Sequence, residues 1–323
     1  MVLWEGFQGI LGQERAVSFL QTVVERDLPV HAYLFVGPPG VGKTRAAMAF
    51  ACSLLANKRQ GIDFSWAKDN HPDLFIAGKT GSKVGIAEVR RLEEWLAYQP
   101  YSSSYRVALF PNAHLLSVEA ANALLKTLEE PPAYAVLILL SDEMEVLPTI
   151  RSRCQEVRFA PIPAHLIEQA LVQGGVDPVR ARTAAMLARG SLKRAHLFAE
   201  VPDLEDFPVR GREFLLEVAR GGELVLLQKA QELEKDEIRR LLFFGVIEVI
   251  LRDVAVYSET LDHKLLVFPE NAELAAKLRL RPEQLRKVLE EMGNISLLIG
   301  RNINPLLVNL NVFFNLRRAI KEE

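Results

Sequence analysis

Apolar and polar positions change rhythm near residue 160. Before it, short apolar runs recur at 33–36, 74–77, 106–110, 136–140 and 157–159. Runs of this length with little polar alternation fit strands buried on both faces. Between them the apolar positions follow a helical period: Val89, Leu92 and Leu96 share one face, and Ala120, Ala123 or Leu124, and Leu128 another. Ser117 is placed to cap the second of these helices and Pro131-Pro132 to stop it. Strand and helix in alternation predict an α/β domain over residues 1–160, with a parallel sheet covered by helices.

After Pro161 the strand signal disappears. Short helical patterns interrupted by Gly174-Gly175 and Gly190 predict a small all-α domain over 161–205. Residues 201–208, with two prolines and three acids, read as a linker. From 206 to 323 the pattern is helical again and predicts a third, all-α domain. Residues 238–251 are apolar around most of a helix, which suits a helical core or a surface that packs against copies or relatives of the same domain. Asn304 is placed to cap a last helix with Pro305 at its first position, followed by Leu306, Leu310 and Phe313 or Phe314.

A length of 323 residues has room for two or three domains, and 49% hydrophobic with 25% charged residues is ordinary for a soluble globular chain. Apolar stretches such as 241–247 end long before a membrane span, and Trp4-Glu5 stand where a secretory signal would carry a basic flank. A cytoplasmic protein without a membrane partner is expected. Two cysteines, Cys52 and Cys154, exclude a disulfide framework, and no His/Cys spacing suggests a metal. A net charge of −2 argues against free-standing, charge-driven binding to nucleic acid.

The strongest local signal is Gly37-Pro38-Pro39-Gly40-Val41-Gly42-Lys43-Thr44, which fits G-x-x-x-x-G-K-[ST] between an expected strand and an expected helix. Gly37, Gly40 and Gly42, with Pro38 and Val41 between them, let the backbone wrap a phosphate at a helix start. In a bound ATP or ADP, Lys43 would reach the β phosphate and, in ATP, the γ phosphate, and the Thr44 hydroxyl would complete a Mg²⁺ shell. The alternative is a glycine turn that only joins strand to helix. Hydrolysis needs more: an acid at the tip of a neighbouring strand, to hold the metal through water. The expected strand 106–110 is followed by Pro111-Asn112-Ala113-His114, with no acid. Glu119 lies inside the next helix, where it favours the positive helix end. His114 is a candidate base or an ordinary surface or core residue. Little or no ATPase activity is expected of this chain alone.

Several segments resemble a known family. Residues 120–132 (AANALLKTLEEPP) look like the signature of bacterial DNA polymerase III clamp-loader subunits, which are AAA+ proteins. Residues 147–155 (LPTIRSRCQ) are similar to their Ser-Arg-Cys segment, and 7–13 (FQGILGQ) and 31–44 (HAYLFVGPPGVGKT) to their opening. The likeness covers roughly residues 5–200 and is looser beyond, where Asn302-Ile303-Asn304-Pro305 falls near an asparagine-rich helix start. It implies a P-loop AAA+ parallel-sheet domain, a helical lid and a C-terminal helical collar. Within the family, His71-Pro72-Asp73-Leu74 and the missing acids at Pro111 and Asn112 resemble the delta-prime subunit more than the gamma/tau motor. A motor subunit, or an autonomous P-loop ATPase or kinase, are the alternatives.

The resemblance also implies partners and roles. The partners are other clamp-loader subunits (gamma/tau and delta), the sliding clamp, and primer-template DNA through the complex. By itself Arg153 reads first as a surface arginine in a salt bridge; the resemblance reverses this and makes it, in the Ser-Arg-Cys segment, an arginine finger that would reach the ATP site of a neighbouring subunit. Ser141 occupies the place of the family's first sensor of the γ-phosphate, and Arg194, in 190–195 (GSLKRA), the place of the second. Relatives usually carry four zinc-binding cysteines between the P-loop helix and His71. Residues 56–70 contain none, so no zinc site is expected. Cys52 and Cys154 read as packing residues.

Overall fold

The computed structural model describes residues 6–56, 71–78, 84–142, 146–220, 223–278, 280, 281, 283, 284, 286, 289 and 304–321. Trp4-Glu5, nearly all of 56–70, and Asn302-Ile303 lie outside them. The chain divides into two compact units, residues 1–166 with 190–192, and residues 167–189 with 193–323.

The first unit is built on five parallel strands, β1 (Ala32–Val36), β2 (Leu74–Ile76), β3 (Arg106–Phe110), β4 (Ala135–Ser141) and β5 (Gln155–Arg158), in the spatial order β2-β3-β4-β1-β5. Strands β1, β3 and β4 are buried at every residue, which is why their sequence is apolar without alternation. Helices α1 (Glu14–Arg26), α2 (Lys43–Leu55), α3 (Ile86–Leu96), α4 (Val118–Glu129) and the short α5 (Pro148–Arg151) belong to this unit. Val89, Leu92 and Leu96 of α3 and Ala120, Leu124 and Leu128 of α4 join the apolar core of β1, β3 and β4. Ser117 Oγ accepts the Ala120 N–H at 3.1 Å and caps α4, which ends before Pro131.

One strand starts earlier than its apolar run. β5 begins at Gln155 and Glu156, because as an edge strand it pairs on one side with β1 and can turn polar side chains outward. Phe159 follows it, and its N–H still donates to Val36 O at 2.8 Å.

In the second unit, residues 201–208 are not a loose linker. Val201 and Leu204 are buried, 204–206 form a 3₁₀ turn, and α9 starts at Phe207 with Pro208 in its first turn. Arg180 donates to the carbonyls of Ala199, Val201 and Pro202, and Asp203 pairs with Arg210 and Arg239 at 2.6 and 2.7 Å. The prolines and acids mark a helix start and ion pairs here. Among the described residues the helices are α6 (Ala164–Gln173, which starts at the end of the first unit), α7 (Pro178–Leu187), α8 (Leu192–Ala199), α9 (Phe207–Arg220), α10 (Glu223–Glu232), α11 (Glu237–Thr260), α12 (Ala272–Leu278) and α13 (Pro305–Lys321). The 24-residue α11 carries the apolar run, and Phe214, Phe243, Phe244 and Phe313 form an aromatic cluster between α9, α11 and α13. Asn304 Oδ1 accepts the Leu306 N–H at 2.9 Å, the cap expected before Pro305.

Candidate functional site

Strand β1 lies between β4 and β5 and delivers the chain at Gly37 to the C-terminal edge of the sheet, where open parallel sheets bind ligands. A Cβ on Gly37 would sit 2.2 Å from the Phe159 carbonyl oxygen, so no other residue fits, and the Gly37 N–H donates to Ser141 O at 3.3 Å. Gly42 has φ +104°, left-handed and strained for any other residue, and turns the loop into α2. The first turn of α2 has no side-chain cap and no acidic residue, which leaves its positive end open. Thr44 is exposed in that turn. These features fit the phosphates of a nucleotide.

The loop is braced from the N-terminal segment, a contact that the sequence did not announce. Gln13, almost fully buried, donates to Val41 O at 3.4 Å and to Ala160 O at 2.7 Å, and accepts the Ala160 N–H at 3.1 Å. Arg45 donates to Gln8 O at 3.0 Å. The FQGILGQ stretch is therefore a clamp on the phosphate loop, and Gln13, set between Gly12 and Glu14, carries no local signal of it.

Lys43 is 5% exposed and its ammonium has three oxygen partners: Gly37 O and Pro38 O, each at 2.6 Å, and Asp142 Oδ1 at 2.7 Å. An ammonium has three N–H donors, so all are engaged. Asp142 stands one residue past β4, beside the fully buried Ser141. Its own N–H faces His114 Nδ1 at 3.4 Å. His114 lies in the 3₁₀ turn Ala113–Leu115 that follows β3. The tips of β3 and β4 thus bring His114, Ser141 and Asp142 to the phosphate loop. The tip of β3 itself offers Phe110, Pro111 and Asn112, none of them acidic. Glu119 sits in the first turn of α4, and its carboxyl is held below the usual range by local hydrogen bonds at that helix start, first its own backbone N–H and then Ser117.

Arg153 sits on the turn between α5 and β5, about one third exposed. It pairs with Glu129 at the end of α4 (2.6 Å) and donates to Thr149 O (3.0 Å) and Ser152 Oγ (3.2 Å). Its neighbours Arg151 and Arg158 both pair with Glu156 instead, at 2.8 and 2.5 Å. Burial favours the neutral form of Glu156, but the hydrogen bonds and charges of Arg158 and Arg151 outweigh it and hold the carboxyl low. In the second unit, Arg194 lies on α8 and, with Arg189, lowers the Glu248 carboxyl, which burial nonetheless keeps above its usual value.

A second polar centre supports the β2 edge. Asp73 is fully buried and accepts the N–H groups of Tyr101, Ser102 and Ser103 at 2.6, 2.8 and 3.1 Å, plus the Ser103 hydroxyl at 2.9 Å. Burial would raise this carboxyl, but the four donors more than offset it and hold it below the usual carboxylate range. Cys52 is buried on α2 and Cys154 half-buried against the core, and burial pushes their thiols up to about 11 and about 12. Among the described residues no group of three or more His, Cys, Asp or Glu could hold a metal ion, and no helix is long and apolar enough to cross a membrane.

A five-stranded parallel sheet with a phosphate loop after its β1, joined in sequence to a helical C-terminal region, places the fold in the AAA+ P-loop class. Residues 12–163 match the family model described as DNA polymerase III, delta subunit. The chain is 34% identical over 174 residues to DNA polymerase III subunit tau of Bacillus subtilis, covering 50% of this chain and 30% of that protein. It is 31% identical over 201 residues to subunit delta' of the same organism, covering 58% of this chain and 61% of that protein. A solved gamma subunit-related protein of Thermotoga maritima covers 94% of this chain and 99% of its own at 18% identity, with a TM-score of 0.41. The family-model match and the sequence identities bear out the resemblance of the motifs to clamp-loader subunits of DNA polymerase III. The chain spans less than two thirds of the length of these curated relatives, and they carry both the tau and the delta' names.

Proposed function

We propose that this chain is a non-motor, delta-prime-type subunit of a bacterial DNA polymerase III clamp loader, acting in the cytoplasm. Gly37 to Thr44 would hold ATP or ADP, with Mg²⁺ reached through the Thr44 hydroxyl. The nucleotide would supply a phosphate anhydride and its negative charge. The chain's own part is to bind that charge through the loop and Lys43 while presenting no acid at the tip of β3. Residues 161–205 would act as a lid, with Arg194 as its sensor arginine, and 206–323 as the collar that meets gamma/tau and delta subunits. Arg153 would serve a neighbour's ATP site, and the assembled complex would place the sliding clamp on primer-template DNA. The observation that carries this reading is the pairing of a complete phosphate loop with Pro111-Asn112 where a hydrolytic relative needs acids.

The motor reading draws support from sequence identity to tau and gamma/tau subunits, such as the 34% to a tau subunit. Mixing the purified chain with gamma/tau and delta subunits, followed by gel filtration and an ATPase assay, separates the two. Co-elution with hydrolysis appearing in the mixture supports the proposal. Failure to co-elute, or hydrolysis by this chain alone, contradicts it.

A further inference from the structure

The carboxylate that reaches Lys43 comes from just past β4, and nothing in the reading above uses it. Asp142 has a defined place: Val36 and Ser141 are partners in the β1–β4 register, and the Gly37 N–H is bonded to Ser141 O. Its main chain is tethered on the other side by the contact of its N–H with His114. The acid is thus fixed to the same backbone edge that carries the phosphate loop. Its side chain is 39% exposed, so its inner oxygen meets the ammonium while the rest faces water.

An anion that sits 2.7 Å from Lys43 Nζ stands where a terminal phosphate would bind that amine. A triphosphate reaching the ammonium must displace Asp142 and then lie beside an unpaired carboxylate of like charge. A diphosphate brings one charged group fewer: its β phosphate can replace the Gly37 or Pro38 carbonyl on Lys43 and leave the Lys43–Asp142 pair in place. We propose that Asp142 is a built-in counter-anion of Lys43 that makes this phosphate loop select nucleoside diphosphate over triphosphate. This inference rests on the loop being a nucleotide site. It adds which nucleotide the site keeps, and it assigns that choice to a specificity residue just past β4.

The test is calorimetric titration of ADP and of ATP into the full chain and into Asp142→Asn, each with Mg²⁺ and with EDTA. The wild type should bind ADP at least about tenfold more tightly than ATP, the scale expected for two like charges a few ångströms apart near a protein surface. Asp142→Asn should tighten ATP by about tenfold or more and change ADP by less than about threefold. A wild-type chain that prefers ATP overturns the proposal without any variant. An ATP/ADP ratio unchanged by Asp142→Asn also overturns it while leaving the nucleotide site intact. Loss of ATP affinity in the variant with Mg²⁺ but not with EDTA overturns it by making Asp142 a metal ligand. No binding of either nucleotide by either protein would overturn the nucleotide reading, and this inference with it.

Discussion

Two cations of the first unit are held in opposite ways. Lys43 is enclosed, and its three donors are met by the loop's own carbonyls and by a carboxylate anchored to the adjacent strand. Arg153 lies on an edge turn, and its main partner, Glu129, is half exposed at the end of a helix. An enclosed ammonium can be claimed by a ligand that enters its own pocket. An exposed guanidinium held by a solvent-screened pair is cheap to release to another protein. The difference teaches that one cation of this unit is held inward by the loop and the strand beside it, while the other keeps a partner it can release at little cost, as the two proposed roles require.

Several substitutions would break or sharpen that contrast. Arg153→Ala should leave folding and nucleotide binding intact and slow ATP hydrolysis by the reconstituted complex by about 10³-fold or more, the scale of an arginine finger. An unchanged rate in a steady-state assay would make Arg153 an ordinary surface residue. Asp73 supplies the case of a charge committed wholly to the fold. Asp73→Ala, which leaves the turn's donors without their acceptor and Arg106 without its ion-pair partner at 3.7 Å, should cost about 3–5 kcal/mol in denaturant unfolding.

The sign of the pH effect at Asp73 follows from its lowered carboxyl. Its stabilisation is fully present above the unfolded-state value near 4 and is lost as pH falls through the lower folded-state value. Acid unfolding of Asp73→Asn should therefore be flatter than that of the wild type below about pH 4. A parallel pair of curves would contradict the assignment.

Smaller effects test the two cations directly. Lys43→Ala should weaken nucleotide binding to the isolated chain by roughly 10–100-fold, the loss expected for hydrogen bonds to a charged group. Clamp loading by the complex should change only mildly, as a loading assay would show. Glu129→Ala should alter stability by less than about 1 kcal/mol and leave complex ATPase at or above the wild-type rate. A strong loss of that rate would make the pair with Glu129 part of Arg153's working geometry.

The parts of the fold that burial dictates were legible in the residues. β1, β3 and β4 are apolar because both faces are covered, and Ser117 and Asn304 announce their helices because a cap needs an oxygen at that position. β5 was harder, since Gln155 and Glu156 follow the rules of an edge and not of a core. Residues 201–208 look like a linker in sequence because prolines and acids serve helix starts and ion pairs as well as linkers. At the site, the glycines, Lys43 and Thr44 are contiguous, so spacing alone collects them. Asp142 is 99 positions from Lys43 and meets it only through strand order, which no local pattern encodes. Gln13 likewise acts through a contact 147 residues away.

The most direct test of the account is ATP turnover by the purified chain under saturating Mg-ATP, with nucleotide binding measured on the same sample. A chain that binds nucleotide and shows no turnover above background is the predicted result. Sustained multiple turnover by the chain alone, at rates near 1 s⁻¹ or above, would contradict it.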